Sequence, residues 1–361
     1  HRPKIEDLAL TRRELLGRMG NGMASLGLIS LLGSEGLLGS ANAAPAKAGT
    51  SLNPLLPKPS QFAPTAKRVI FLFANGGPSH VDTFDPKPNL TKYHGQPLPY
   101  SNLPTERKTG ACYRSPFEFH KHGESGIEVS DIFPNVAKSI DDICVIRSMH
   151  ADVPNHEPSL LMMTSGETQP TRPSMGSWLL YGLGTENQNL PGFVVLCPGK
   201  PVVGPALWGN RFLPGIYQGA QINNSSINPQ TVIRDINNGQ VSRSAQREQL
   251  DLLKRMNELH LSRRGGQDNP LEARIQSLEM AFRMQTSVPD LMDLSKEPAS
   301  VLEAYGAKPG DGSFASNCLL ARRLAERGVR FMQLYHRDWD HHGNIRNDVQ
   351  TKAEEIGRAH V

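Results

Sequence analysis

The stretch that decides the fold is Arg68-Val69-Ile70-Phe71-Leu72-Phe73-Ala74-Asn75-Gly76-Gly77-Pro78. Its apolar run has no polar interruption and closes on glycines. Such a run predicts a strand buried on both faces, as in a parallel sheet. The same grammar recurs downstream: 143–146, Phe193-Val194-Val195-Leu196 and 329–334 are expected to be further strands. Helices are expected at 133–140, 158–164, 174–181 and 313–327, the last stopped by Gly328. Residues 242–264 and 271–285 have helical period and many charges, which predicts a helical hairpin turned at Gly265-Gly266. Residues 198–240, rich in Gly, Pro and Asn, are expected to be irregular. Strand, polar loop, helix is the order of an α/β protein with a mostly parallel sheet flanked by helices.

Three polar clusters follow predicted strands, and in open parallel sheets ligands sit beyond the carboxyl ends of strands. The first is Asn75 to Asp85, with Asp82 inside it. Its glycines allow close backbone approach, and an amide or carboxylate oxygen there suits a hard cation. A turn capped by Asp82 and Asp85 is the plainer reading. The second holds His150, Asp152, Asn155, His156 and Glu157, donors that suit zinc, manganese or iron. Glu157 also fits as a helix-start charge, and one histidine as a structural residue. The third runs from His336 to His342. Its Asp338, Asp340, His341 and His342 give D-x-x-x-H and D-x-H spacings, either of which lets a carboxylate and an imidazole meet one ion; the alternative is a solvated polar loop. Arg147 and Arg172 are candidates for a bidentate grip on an anionic group. There is no G-x-S-x-G elbow and no Walker lysine.

Charge excludes other classes. Lys and Arg total 39 against 35 acidic residues, a net charge of +4. No basic stripe with interleaved aromatics is present, so no nucleic-acid partner is expected. Cys112, Cys144, Cys197 and Cys318 form no C-x-x-C pair, which leaves free thiols and disulfides both open.

The N-terminus reads as a leader. Thr11-Arg12-Arg13-Glu14-Leu15-Leu16 resembles the twin-arginine export motif, followed by an uncharged Gly- and Leu-rich stretch from Met19 to Leu32 and by Ala41-Asn42-Ala43. Residues 1–43 are therefore expected to be a signal peptide read by the twin-arginine export machinery, with cleavage after Ala43. The apolar stretch falls short of the about 20 residues a membrane span needs, so no stable span is expected after cleavage. Export places the protein in the periplasm or outside the cell. Residues 44–66 are a Pro/Ala/Ser-rich linker, 67–355 the α/β domain with a helical insertion at 242–287, and 356–361 resemble a translated sequencing adapter. The signal and that tail aside, about 310 residues remain, enough for one large domain.

His156-Glu157-Pro158-Ser159 through Ser165-Gly166 is similar to the sulfatase signature C-x-P-S-R with a later T-G pair, with His156 at the nucleophile's position. Beyond it, segments 68–88, 122–130, 146–159, 171–184 and Trp339-Asp340-His341-His342-Gly343-Asn344 resemble one exported bacterial family of planctomycete type, domain of unknown function 1501. The resemblance covers about residues 10–350. It implies an alkaline-phosphatase/sulfatase-like fold, incomplete at the C-terminus because two later family motifs are missing. It implies a divalent metal (Zn, Ca, Mg or Mn) and hydrolysis of sulfate or phosphate esters, small or polysaccharide. Asn75 stands where the superfamily's first strand usually ends in a metal-binding Asp. Loss of the usual nucleophile implies the alternative, a catalytically inactive, metal-stabilised binding protein of the cell envelope.

Overall fold

The computed structural model describes residues 53–99, 109–153, 155–198, 203–222, 240–263 and 269–357. The leader, linker residues 44–52, the Gly265-Gly266 turn and the tail after Gly357 lie outside the described residues.

The protein is α/β. Four strands form one parallel sheet: β1 (Val69–Ala74), β4 (Phe193–Leu196), β5 (Ala220–Ile222) and β6 (Phe331–His336), in the order β1-β6-β4-β5. A separate antiparallel hairpin is made by β2 (Phe119–His122) and β3 (Ile127–Ser130). The helices are α1 (Pro88–Lys92), α2 (His156–Ser165), α3 (Met175–Leu183), α4 (Arg243–Arg263), α5 (Asn269–Met292), α6 (Ala299–Tyr305), α7 (Phe314–Glu326) and α8 (Ile345–Gly357).

Central position separates the strands. Every residue of β4 and β6 is buried; β4 is apolar throughout, as its run predicts, whereas β6 also buries Gln333, which donates to the Tyr335 hydroxyl, and His336. Gly176 of α3 lies against the Phe193 and Phe331 rings, where a Cβ would stand 2.7 Å from either. Phe314 of α7 meets His336 at 4.6 Å between rings. Phe331 and His336 point to opposite faces by strand alternation, so the sheet is covered on both sides there. The expectation for β1 needs correction. It is the edge strand, and Val69, Ile70 and Leu72 are exposed, because the layer that covers β6 does not extend over it.

The expected strand at 143–146 does not form. A 3-10 helix (Val136–Asp142) ends there, and Ile143 and Ile146 are exposed in irregular backbone. β-branched residues without a strand to pair with or a layer to bury them do not make a strand. The hairpin, β5, α6 and α8 were not expected. β5 is three residues within the Gly- and Pro-rich 198–240 segment, too short to show a period.

The charged helices α4 and α5 pair through a bidentate Arg247–Glu279 contact and a buried Asn257–Glu272 hydrogen bond of 2.9 Å. Ser313 caps α7 by accepting from the Ser316 amide, and Gly328 follows with φ +84°. All four cysteines are free; burial pushes the Cys197 and Cys318 thiols up to about 12, far from thiolate chemistry.

Candidate functional site

β1 and β6 are neighbours, so the loops leaving their carboxyl ends are laced together. The Asn75 amide donates to the His336 carbonyl at 2.7 Å, and the Trp339 amide donates to the Asn75 carbonyl at 3.1 Å. Gly76, at φ +105°, lies so close to the second loop that a Cβ would stand 2.5 Å from the Asp340 amide nitrogen. Only glycine fits this crossing.

Side chains brace the same loop from below. The buried Trp339 indole donates to His336 Nδ1 at 2.7 Å. His336 Nε2 lies 2.9 Å from Glu355 of α8. An Nδ1 that accepts fixes the neutral tautomer with hydrogen on Nε2, which donates to the carboxylate. Burial is the largest influence on this imidazole and lowers its pKa, against the opposing pull of Glu355. Trp339 also packs with Val349 and Ala353 of α8 and with Phe133 and Ile140 in a second, smaller core.

On this frame Asp340 stands at the centre of a three-residue cluster. One carboxylate oxygen, Oδ2, is 2.9 Å from His156 Nε2 and 2.9 Å from His342 Nε2. His156 comes from a different element, the first residue of α2. Helix geometry presents it there, and Ser159 secures the preceding segment by donating from its hydroxyl to the Val153 carbonyl at 2.7 Å. All three side chains are about half exposed, reachable by a ligand. Nε2 of the adjacent His341 is shielded from solvent and has no hydrogen-bond partner among the described residues.

The other candidates lie elsewhere. Asn75 is buried, and its backbone serves the loop crossing. Asp82 is buried and accepts from Ser79 Oγ at 2.5 Å, which is the turn-capping role. Asp85 pairs with Lys87 at 2.7 Å, and that hydrogen bond is the main reason its carboxyl titrates below the usual range. Arg147 adds a weaker pull on the same carboxyl. Arg172 pairs with Glu167 at 3.5 Å on the surface. Asp338 takes the left-handed φ of +67° and is turned to solvent beside Arg337. His150 and Asp152 are exposed, and their segment does not follow a strand. Among the described residues no three His, Cys, Asp or Glu side chains stand in a ready metal-binding arrangement. At the cluster itself, both imidazoles contact the same oxygen of Asp340 rather than facing a common gap.

The family model described as "Protein of unknown function (DUF1501)" matches residues 66–361. The chain belongs to the DUF1501 family. No curated protein and no solved structure matches it. Within this DUF1501 member the site residues missed by sequence reasoning are Trp339 and Glu355. Trp339 was visible as the one large apolar residue in a polar loop. Glu355, 19 positions after His336, gave no signal.

Proposed function

We propose that the protein is an exported, metal-dependent hydrolase of sulfate or phosphate esters, sulfatase-like in superfamily. The observation that carries this is the meeting of His156 and His342 on Asp340 at 2.9 Å each, beyond the carboxyl end of β6. Two imidazole nitrogens and a carboxylate oxygen are the donor set of a divalent transition metal. Two donors on one tetrahedral zinc stand about 3.3 Å apart when each bond is about 2.0–2.1 Å, so each imidazole nitrogen, at 2.9 Å, stands a few tenths of an ångström closer to Asp340 Oδ2 than two ligands of one ion. The donor types fit, and His156, Asp340 and His342 would hold the ion. A bound ion supplies Lewis-acid polarisation of an ester oxygen. The braced loop keeps Asp340 in place before substrate arrives.

A second reading is supported by one residue. His156 occupies the register of the sulfatase nucleophile, which fits a binding protein of the cell envelope that keeps the fold without turnover.

Metal analysis of the purified protein, with a screen of aryl sulfates and phosphates, tests the proposal. The wild type is expected to carry a divalent ion, and His156→Ala to lose metal and turnover together. Retained metal with lost turnover and an acid-labile phosphoryl adduct on the wild type instead makes His156 a nucleophile. Bound metal without turnover favours the binding protein, and absence of both rejects the proposal.

A further inference from the structure

The hairpin of α4 and α5 leaves between its helices a cavity of about 410 Å³, and none of its walls belongs to the Asp340 cluster. Arg247, Asp251 and Lys254 line it from α4, at positions i, i+4 and i+7. Gln276, Glu279 and Arg283 line it from α5, at i, i+3 and i+7. Each set lies on one face of its helix. Polar contacts hold the helices together on either side: Arg243–Thr286 and Gln246–Gln285 toward one end, Asn257–Glu272 toward the other. The charges inside divide unevenly. Arg247 meets both carboxylates, gripping Glu279 with its terminal nitrogens at 2.8 and 2.5 Å and donating from Nε to Asp251 at 3.1 Å. That grip holds the Glu279 carboxyl below its usual range, and Arg283 adds a weaker pull. Lys254 and Arg283 are uncommitted: neither side chain makes a hydrogen bond or ion pair among the described residues. Arg283 Nε is in addition shielded from solvent.

We propose that this cavity binds a phosphate or sulfate group, held between Lys254 of α4 and Arg283 of α5. The chemistry of the walls selects the ligand. Lysine and arginine side chains donate and never accept, so what the cavity lacks is acceptors and negative charge. Asp251 and Glu279 cannot supply them, because Arg247 already occupies both. A merely solvated helix face would leave its cations to water, whereas Arg283 Nε is shielded, and shielded donors in proteins are paired. A tetrahedral oxyanion offers oxygens to a guanidinium and an ammonium at once, while a single carboxylate is filled by one bidentate arginine. Size agrees. The cavity falls within the range of small-metabolite pockets, so it admits the free ion or a monoester with a polar body. The inference stands apart from the hydrolase reading, since it uses no residue of the Asp340 cluster.

Amide hydrogen exchange on the full chain tests this. Inorganic phosphate, compared with chloride at matched ionic strength, is expected to slow exchange about fivefold in segments 247–254 and 275–283. Arg283→Gln is expected to abolish the slowing. Lys254→Gln, at an exposed position whose replacement leaves the hairpin folded, is expected to need about tenfold more phosphate. His156→Ala is expected to respond as the wild type does, which separates this cavity from the Asp340 cluster. A parallel titration with glucose 6-phosphate identifies the source of the group. Slowing at a lower concentration than inorganic phosphate requires assigns a monoester; slowing at the same or a higher one assigns the free ion. Slowing that chloride reproduces is charge screening and overturns the proposal. So does slowing that either cavity variant leaves unchanged, slowing that His156→Ala removes, or no slowing by either compound.

Discussion

The loop 336–344 and the segment 147–157 hold the same residue types, histidine beside aspartate, and fold differently. The first is anchored at both ends and in the middle, by β6, by α8 and by the Trp339–His336–Glu355 chain. The second follows no strand and stays exposed until α2 begins. From it His156 reaches the other loop, because the helix fixes its direction toward Asp340. A run of ligand-type residues becomes a site where the backbone beneath it is held, since a donor in a loose loop loses more entropy on binding than its contact returns.

The largest effect is expected at the crossing of the two anchored loops. Gly76→Ala introduces a Cβ 2.5 Å from the Asp340 amide at φ +105°. Its cost is expected to be about 3 kcal/mol in chemical denaturation, with loss of bound metal. Gly95→Ala is the matched control. It also has a positive φ, +78°, but open space around it, and is expected to cost only about 1–2 kcal/mol and leave the site intact. Equal effects from the two would mean that the crossing does not hold the site.

Next comes the brace. Trp339→Phe keeps the ring but removes the indole donor from buried His336. An unsatisfied buried group costs about 1–3 kcal/mol, and the loss is expected in the melting temperature and in metal affinity together. If stability falls and metal affinity does not, the brace supports the fold without positioning Asp340.

How much of this was legible in the sequence follows from the same distinction. Phe193–Leu196 was readable because a central parallel strand is apolar throughout, and the run into His336 because its apolar residues outweigh the one glutamine, Gln333. Val69–Ala74 was readable as a strand but not as an edge, since nothing in an apolar run tells how many neighbours it has. Ile143 to Ile146 shows the converse, a run with strand composition and no partner. At the site, Asp340 and His342 stood out by spacing, and His156 by its register in the sulfatase-like peptide. Glu355 was invisible, because a helix residue that reaches back to a strand end is a product of packing, not of local pattern. Asp82 left two readings open in the sequence, because a turn-capping carboxylate and a metal-binding one look alike there; the structure shows Ser79 bonding to it.

Acid separates the loops more gently. An unfolded imidazole takes its proton near pH 6.5, whereas burial keeps His336 neutral to lower pH. The unfolded chain then binds more protons in that window, and stability falls as pH drops below about 6.5. Melting curves between about pH 7.5 and 5 are expected to show this fall, and His336→Gln to show a shallower one. Carboxylates with lowered values, Asp85 and Asp141 among them, act in a separate window, because their contribution is lost only as pH falls below about 4. An unchanged slope in His336→Gln would place the acid sensitivity elsewhere.

The smallest effect is expected in the unanchored segment. His150 and Asp152 are exposed, and the structure does not bring them to Asp340. Surface substitutions without buried partners change stability by about 0.5 kcal/mol or less. His150→Ala and Asp152→Ala are therefore expected to match the wild type in melting temperature, metal content and turnover of any ester found in the screen. The measurement has force because the sequence ranks these two residues with His156. If either variant loses metal, the segment folds onto the ion when it binds, and anchoring before binding is not what separates the two loops. If both keep it while His156→Ala loses it, the boundary of the site falls at the first turn of α2, where regular structure begins.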